Sequence, residues 1–484
     1  MQNALGESRA IGDKDMPGGA SYSLRSKILS MVALMGLAGP LVAAPQTGVG
    51  QAAPVVRDDD PVLALRDQHI DPDQFRAAIQ ATVRRHPSTA EAAAVEDEAR
   101  LGVKGARQLL LPRIDISASS YRIIAREFSN DPLNIIERSR PDHRTDVSLS
   151  AQQVLFDFGA TEKQIRAAAD RLRAARADSE ASTDRIAVSA IAAWYDVFGY
   201  RALVALVKSY VADQEEVRVG VARRIRYGVA AESDLAGVDS GIARANTRLA
   251  NYQRGLANAE ARFEELTGAP APARLGRAPT PPGLPGDHDT AAFLGSKVAT
   301  VRSADAAAAA SAQDAAATRA QRKPAITGGI DAGRYGLLEN ATDYDIRGSV
   351  TIRQRLFGGT DANAAQAGAR ARAARAHADV VREEASRDAT IAWSDVQALQ
   401  TQLAALESAY RAARRARDAT FERFGATRGT MFDVLSAQEG YYDSATAYIQ
   451  GLIDLDAARY ALLSRTGQLL PRLGIAADPN QARP

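Results

Sequence analysis

The residues best placed for chemistry lie in GATRGTMFDVLSAQ, Gly425 to Gln438, where a base, Arg428, and an acid, Asp433, flank a Gly/Thr turn. Thr430 followed three residues later by Asp433 has the spacing of a capping box, and an acid in a first helical turn is favoured by the helix dipole. That pattern accounts for a local helix start, and what it offers beyond it is electrostatic. No Walker A lysine loop, Gly-x-Gly-x-x-Gly, Gly-x-Ser-x-Gly or His-Glu-x-x-His occurs. The five histidines, His69, His86, His143, His288 and His377, are scattered, and none has a metal-ligand neighbour at helical spacing. LFGGT, Leu356 to Thr360, has the glycines of a phosphate cradle but no following Lys-Ser/Thr. The expectation is no enzyme, no metal and no cofactor.

Composition narrows the class. The chain has 484 residues, 46% of them hydrophobic but only 6% aromatic. Apolar content carried by small side chains favours close helix packing over one large core. The 60 basic and 58 acidic residues are interspersed, so a nucleic-acid footprint is not indicated. Cysteine is absent, which excludes disulfides, thiolate metal sites and a lipidated Cys at a processed terminus.

Arg25 and Lys27 precede the apolar run Ile28 to Gly39, then Pro40, Leu41, Val42, Ala43 and Ala44. This order predicts an export signal over 1–44, cleaved near Ala43 or Ala44, with Met16 a candidate start. The run is short of the ~20 residues that span a bilayer. No other stretch reads as a spanning helix, so membrane passage would have to be made by strands.

The chain contains itself twice. AAWYDV around Trp194 answers IAWSDV around Trp393, and these are the only two tryptophans. RIRYGVAAESDL, ending at Leu235, answers ERFGATRGTMFDVL, ending at Leu435; NYQRGLANAEARFEELTG answers AYIQGLIDLDAARYALLSRTG. LFDFGAT at 155–161 and LFGGT at 356–360 complete the ordered set. A Pro/Gly-rich stretch, 269–289, reads as an extended linker between repeats over 71–268 and 290–470. Residues 45–70 and the tail 471–484 read as weakly ordered.

Each repeat reads as helix, strand, strand, long helix, turn, helix. Period-two alternation marks strands at Arg113–Tyr121, Thr145–Phe156, Ala325–Tyr335 and Tyr344–Phe357, with Tyr344, Ile346, Gly348, Val350 and Ile352 on one face. Trp393, Val396, Leu399, Leu403, Leu406, Tyr410 and Ala413 form a coiled-coil-like seam, and Ala160 to Arg226 would run about 100 Å at 1.5 Å per residue. Shorter helices over 73–110 and 232–267 would stack end to end beside it. Pro112 and Pro324 would end helices and start strands. The runs 122–144 and 336–343 read as extracellular loops, and the arginines of 411–417 as a solvated or intersubunit-paired face. Four strands cannot close a barrel, whereas three copies would supply about twelve. The fold class is therefore mixed α+β, mostly α, internally duplicated, with four transmembrane strands per chain continuous with a long helical coiled-coil barrel.

The signal, the duplication, the Leu-Leu-Leu-Pro-Arg approach to the first strand, the LFD and LFGG exits and the FDVL turn resemble the TolC-like outer membrane efflux proteins over about Asp71 to Leu470. The resemblance implies a homotrimeric, passive channel in the outer membrane lipid of a Gram-negative bacterium, extending into the periplasm. It further implies docking to a periplasmic adaptor and an inner-membrane ABC or RND transporter. Type I protein secretion is the favoured expectation, multidrug efflux the second, and a soluble periplasmic coiled-coil scaffold or adaptor the reading from another class.

By the same resemblance Asp433 aligns with an acid of the entrance constriction and Arg428 with a base that helps hold the closed state. A second acidic position is Ser436 here, and the turn is one residue longer than usual. Gly228, Asp234, Gly425, Gly429 and Thr430 fall on the adaptor-docking turns. Phe156, Gly159, Phe357, Gly358 and Gly359 mark the strand-to-helix junctions, where Phe156, Phe158 and Phe357 would either form an interfacial belt or pack strands onto helices.

Overall fold

The structure is a computed structural model, which describes residues 60–127, 135, 139, 141–339, 343–426 and 428–475. The expected export signal, residues 45–59, the end of the tail and parts of both strand-connecting loops lie outside the described residues.

Helix α1, Pro61–Ala64, precedes α2, Pro72–Arg85, and α3, Pro87–Gln108. Each of these starts on proline, whose fixed φ suits a first turn and whose missing N–H would be unpaired there anyway. Pro87 also explains why the single helix expected over 73–110 is broken: His86 is extended and caps α3 by accepting the Ser88 amide at Nδ1. Strands β1, Arg113–Arg122, and β2, His143–Phe156, lead into α4, Ala160–Arg226, of 67 residues, and then α5, Glu232–Thr267. After 269–287 the pattern returns as α6, His288–Gly295, α7, Ala299–Ala320, β3, Ala325–Arg334, and β4, Tyr344–Arg353. It closes with α8, Thr360–Gly425, of 66 residues, α9, Met431–Arg465, and the short α10, Leu469–Arg472.

The strands form one antiparallel sheet in the order β1-β2-β3-β4. The register aligns the alternation seen in the sequence. Ile116, Leu149, Ala332 and Ile346 share one cross-sheet row, and Ile114, Ala151, Ile330 and Gly348 the next. The intervening rows are polar: Ser117, Ser148, Gly333 and Asp345, then Asp115, Ser150, Asp331 and Arg347. A bulge between Val154 and Phe156 returns Phe156 to the apolar face opposite Ile326, which a strict alternation would have given to Leu155. The apolar face is bare, with Ile116 77% and Ile346 68% exposed.

Along the upper helices α4 packs between α3 and α7, and α7 packs on α8; toward the turns α4 packs on α5 and α9, and α9 on α8. The expected seam of α8 is real: Val396 and Tyr410 are fully buried, with Leu399, Leu403 and Leu406 packed against the same clusters. One expectation is overturned by α4, which alone among the described helices has an 18-residue window apolar enough to cross a membrane. Of that window 72% is buried inside the protein, so its hydropathy is that of a packed helix.

Residues 269–287 are not a free spacer. Trp194 donates its indole N–H to Gly276 O at 2.9 Å and Trp393 to Pro285 O at 3.1 Å, so equivalent tryptophans of the two repeats hold the connecting strap. Buried Arg277 makes a bidentate pair with buried Asp456 at 2.7 and 2.9 Å, and also donates to Arg66 O. The strap backbone bonds residues 68–70 as a two-residue parallel bridge. Gly276 is required there, since a Cβ would lie 2.8 Å from Ile70 N. Residues 60–70, expected to be weakly ordered, are therefore anchored. Buried Asp60 caps α1 and accepts the Tyr410 hydroxyl at 2.9 Å and Arg414. The start of the tail is anchored too, because Leu473 is buried and its carbonyl accepts from Gln80. In all three segments polar groups inside the protein supply partners that periodicity cannot reveal.

Arg277→Ala removes the main partner of a buried carboxylate, and the expected cost is about 3 kcal/mol. It would be read as a lower melting temperature by circular dichroism, with Asp456→Asn milder; an unchanged melting temperature would show that the strap adds nothing.

Candidate functional site

The two helix-joining turns meet at one end of the fold. At the first, α4 closes through Tyr227, Gly228 adopts φ +73°, and the Val229 amide returns to Arg224 O at 3.0 Å. Asp234 then reaches back to accept the Ala231 amide at 3.2 Å; Ala231 has no side-chain acceptor to reciprocate, so this cap is one-sided. At the second, α8 ends at Gly425, Gly429 takes φ +116°, and the Arg428 amide donates to Arg423 O at 2.8 Å. Here the capping box is complete. The Thr430 amide and hydroxyl donate to Asp433 Oδ2 at 2.9 and 2.8 Å, and the Asp433 amide donates to Thr430 Oγ1 at 3.2 Å.

Hydrogen bonds from the Thr430 backbone and hydroxyl hold the Asp433 carboxyl below its ordinary value. A depressed folded-state pKa means that the charge, and the cap it makes, persist until pH falls through that lowered value. Asp433 Oδ1 keeps no hydrogen bond among the described residues and remains available to a cation. Arg428 makes no ion pair among the described residues, and exposed Ser436 lies one turn beyond Asp433. Arg428, Asp433 and Ser436, with Gly429 and Thr430, line one open cleft of about 470 Å³. Gly228 and Asp234 belong to the other turn, and Gly425 ends the helix above the cleft.

Sequence reasoning missed the contact that joins the turns. Arg224 donates to Phe424 O at 2.6 Å and its guanidinium lies 3.9 Å over the Phe424 ring. Below it Val221, Val238, Met431 and Val434 form one apolar cluster drawn from both repeats. The available signal was the repeated aromatic-Gly pair, Tyr227-Gly228 and Phe424-Gly425. The two copies diverge in use: Phe424 is covered by Arg224, while Tyr227 is 78% exposed, as is Phe432.

The strand-to-helix junctions are likewise unequal. In the first, Asp157 does the capping, accepting the Gly159 amide at 3.0 Å and the Thr161 amide and hydroxyl at 2.7 and 2.5 Å. Phe158 at φ +56° and Gly159 at φ +78° reverse the chain through the left-handed region, and the Phe156 and Phe158 rings meet edge-on at 4.7 Å. In the second no acid precedes the helix, the acid Asp361 lying instead in its first turn and pairing with Arg322; Gly358 and Gly359 take φ +101° and +82°, and Phe357 is left bare. Asp157 was in plain view within LFDFGAT, but its role depends on the turn that Gly159 permits.

The family profile described as outer membrane efflux protein matches residues 78–269. Over those residues the chain is similar to outer membrane efflux proteins. Among curated relatives, the outer membrane efflux protein BepC of Brucella suis is 27% identical over 340 residues, 68% of this chain and 74% of BepC. Among solved structures, the outer membrane protein VceC of Vibrio cholerae superposes with TM-score 0.71 at 20% identity, covering 84% of this chain and 97% of VceC. The outer-membrane channel OprN gives TM-score 0.72 at 20% identity, over 84% and 92%. The open cleft at the helix turns and the bare sheet face lie at opposite ends of the long helices α4 and α8.

Thr430→Ala removes the hydroxyl that caps α9 and should cost about 1 kcal/mol. The expected readout is cleavage within 426–430 several-fold faster under limited proteolysis. Unaltered cleavage would mean that Asp433 holds the turn alone.

Proposed function

We propose that the protein is the passive exit duct of a tripartite export system, a homotrimer whose twelve strands close a barrel in the outer membrane and whose helices extend that tube into the periplasm. The observation that carries this reading is the sheet: one continuous apolar face, one polar face, and two edges, β1 and β4, unpaired among the described residues. In hydrocarbon every backbone N–H and C=O must be paired, so two open edges require edge-to-edge closure with further copies. Order on the helical side supports the same closure, since α3 and α8 bound the upper helical layer as β1 and β4 bound the sheet. A soluble periplasmic scaffold accounts for the helices but leaves the bare isoleucines of the sheet in water.

At the periplasmic end, three copies of the Arg428–Asp433–Ser436 cleft would surround the entrance. Asp433 supplies a cation-attracting ring, Arg428 a partner for a neighbouring subunit, and the turns bearing Gly228, Asp234, Gly425, Gly429 and Thr430 the adaptor's landing surface. No step requires a cofactor; the energy comes from the inner-membrane transporter. Type I protein secretion remains our reading of the cargo. Drug efflux is the second reading, favoured by the name of the Brucella relative. A deletion strain separates them: secretion predicts loss of an exported protein from the medium, efflux a fall in inhibitory concentrations of small toxic compounds.

Ile346→Lys puts a charge on the lipid face, at a cost of about 2–4 kcal/mol at mid-membrane, and should abolish recovery of trimer in outer-membrane extracts, while Ser148→Lys on the polar face should not. Equal behaviour of the two variants, or release of the wild-type protein by osmotic shock, would sink the barrel. In planar bilayers Asp433→Ala should lower cation selectivity. Wild-type selectivity should hold from pH 7 to 5 and fade only below about pH 4, where a carboxylate with a depressed pKa is finally protonated. Unchanged selectivity in the variant would leave Asp433 as a helix cap alone.

A further inference from the structure

Where the polar face of the sheet meets the helices, the chain forms an open recess of about 630 Å³. Its sheet wall is made by Gln152, Thr327, Ser349 and Thr351, each an even number of residues from Ser150, Asp331 or Arg347 and therefore on the polar face. Its other walls are the starts of α4 and α8 and the end of α7. Four cations line it, Arg322, Lys323, Arg353 and Arg355, against a single acid, Asp157. Both oxygens of Asp157 are already taken up by the Gly159 and Thr161 groups of its own turn. Arg322 pairs with Asp361. Lys323, Arg353 and Arg355 are exposed and meet no carboxylate among the described residues, Lys323 lying only over the Phe158 ring at 5.0 Å.

Neighbouring arginines are matched. Further along the polar face Arg113 pairs with Asp115 at 2.9 Å, and Arg347 with Asp345. Among the helices Arg302 pairs with Glu180 at 2.5 Å and Arg382 with Asp305 at 2.6 Å. The recess is thus a local excess of positive charge between two regions where charge is balanced. Register explains the crowding: Ala325 opposes Arg353, so Lys323 and Arg355, each two residues beyond that pair, leave the sheet side by side. Like charges set opposite one another repel, and an anion between them turns that repulsion into attraction.

Guanidinium and ammonium groups on one concave surface are a donor set for oxyanions. The planar fork of arginine takes two oxygens at once, and lysine adds a point charge. The hydroxyls of Ser349 and Thr351 and the carboxamide of Gln152 supply neutral donors on the same wall. One monovalent ion would leave most of the charge unmatched, and the volume has room for several groups of water or phosphate size. We propose that this recess binds a multivalent oxyanion of the oligophosphate class, held by Lys323, Arg353 and Arg355. That it thereby sets an anion-attracting station at the foot of the barrel, opposite in sign to Asp433, rests on the channel reading; the binding itself does not.

The test is calorimetric titration of the full-length protein in detergent with inorganic tripolyphosphate at low ionic strength. Wild type should bind with a dissociation constant below about 1 mM. Arg353→Gln/Arg355→Gln should weaken binding at least about tenfold, because charge-assisted contacts are lost. Should that variant fail to fold, Lys323→Gln carries the same expectation at about threefold. Arg254→Gln/Arg262→Gln removes as much charge from exposed positions on α5 and should change binding less than about twofold. No binding by wild type at about 1 mM, or equal weakening by the recess and α5 pairs, overturns the site. In planar bilayers, tripolyphosphate added on the barrel side should lower the wild-type conductance and leave Arg353→Gln/Arg355→Gln unblocked. A protein that binds the probe but conducts no ions keeps the site and rejects the channel, while one that conducts and neither binds nor is blocked rejects the site alone.

Discussion

The structure depends on the hydrogen bonding of four strands. Among the described residues β2 and β3 are paired on both sides, but β1 and β4 each present an edge of unpaired backbone groups. The same sheet exposes isoleucines on one face and serines, aspartates and arginines on the other. Neither water nor hydrocarbon suits such a sheet as a single copy. In water the apolar face is costly, and in lipid the edges are. The closure with further copies proposed above would answer both, and the helices that enter and leave each strand pair would then continue the same cylinder.

Duplication supplies the repeated geometry, but the two copies have diverged where the fold needs asymmetry. Both tryptophans donate to the strap, yet only the first repeat's is fully buried, beside Phe75 and Phe263. Arg277 in the strap joins the N-terminal segment to α9 through Asp456, and Asp60 joins that segment to α8 through Tyr410 and Arg414. Three of the four arginines of 411–417, expected to be solvated or to pair between subunits, thus find carboxylates within the chain: Glu407 for Arg411, Asp60 for Arg414 and Asp418 for Arg417.

The helix turns rest on little local chemistry. A complete capping box keeps Asp433 ionised, and a glycine at φ +116° keeps the loop tight. What makes the two turns a unit is less local: an arginine from one repeat laid over a phenylalanine from the other, with valines of both beneath.

The individual elements were legible along the chain. Alternation in Arg113–Tyr121 and Tyr344–Arg353, three-and-four spacing from Trp393 to Tyr410, and Gly/Pro punctuation at 112, 159, 324 and 359 are local rules, each satisfied by neighbours in the chain. The Thr430–Asp433 cap was legible for the same reason, since both partners lie within one helical turn. Only the tertiary structure decided the strap, the buried Asp60, the Arg224 clasp and the bulge that turns Phe156 outward. Arg277 and Asp456 are 179 residues apart, and nothing in composition or periodicity states that a Pro/Gly-rich stretch will be folded against two tryptophans. Long-range polar pairs leave no period in a sequence. They exist only once apolar packing has brought the helices together, which is why those segments looked unstructured until the fold was known.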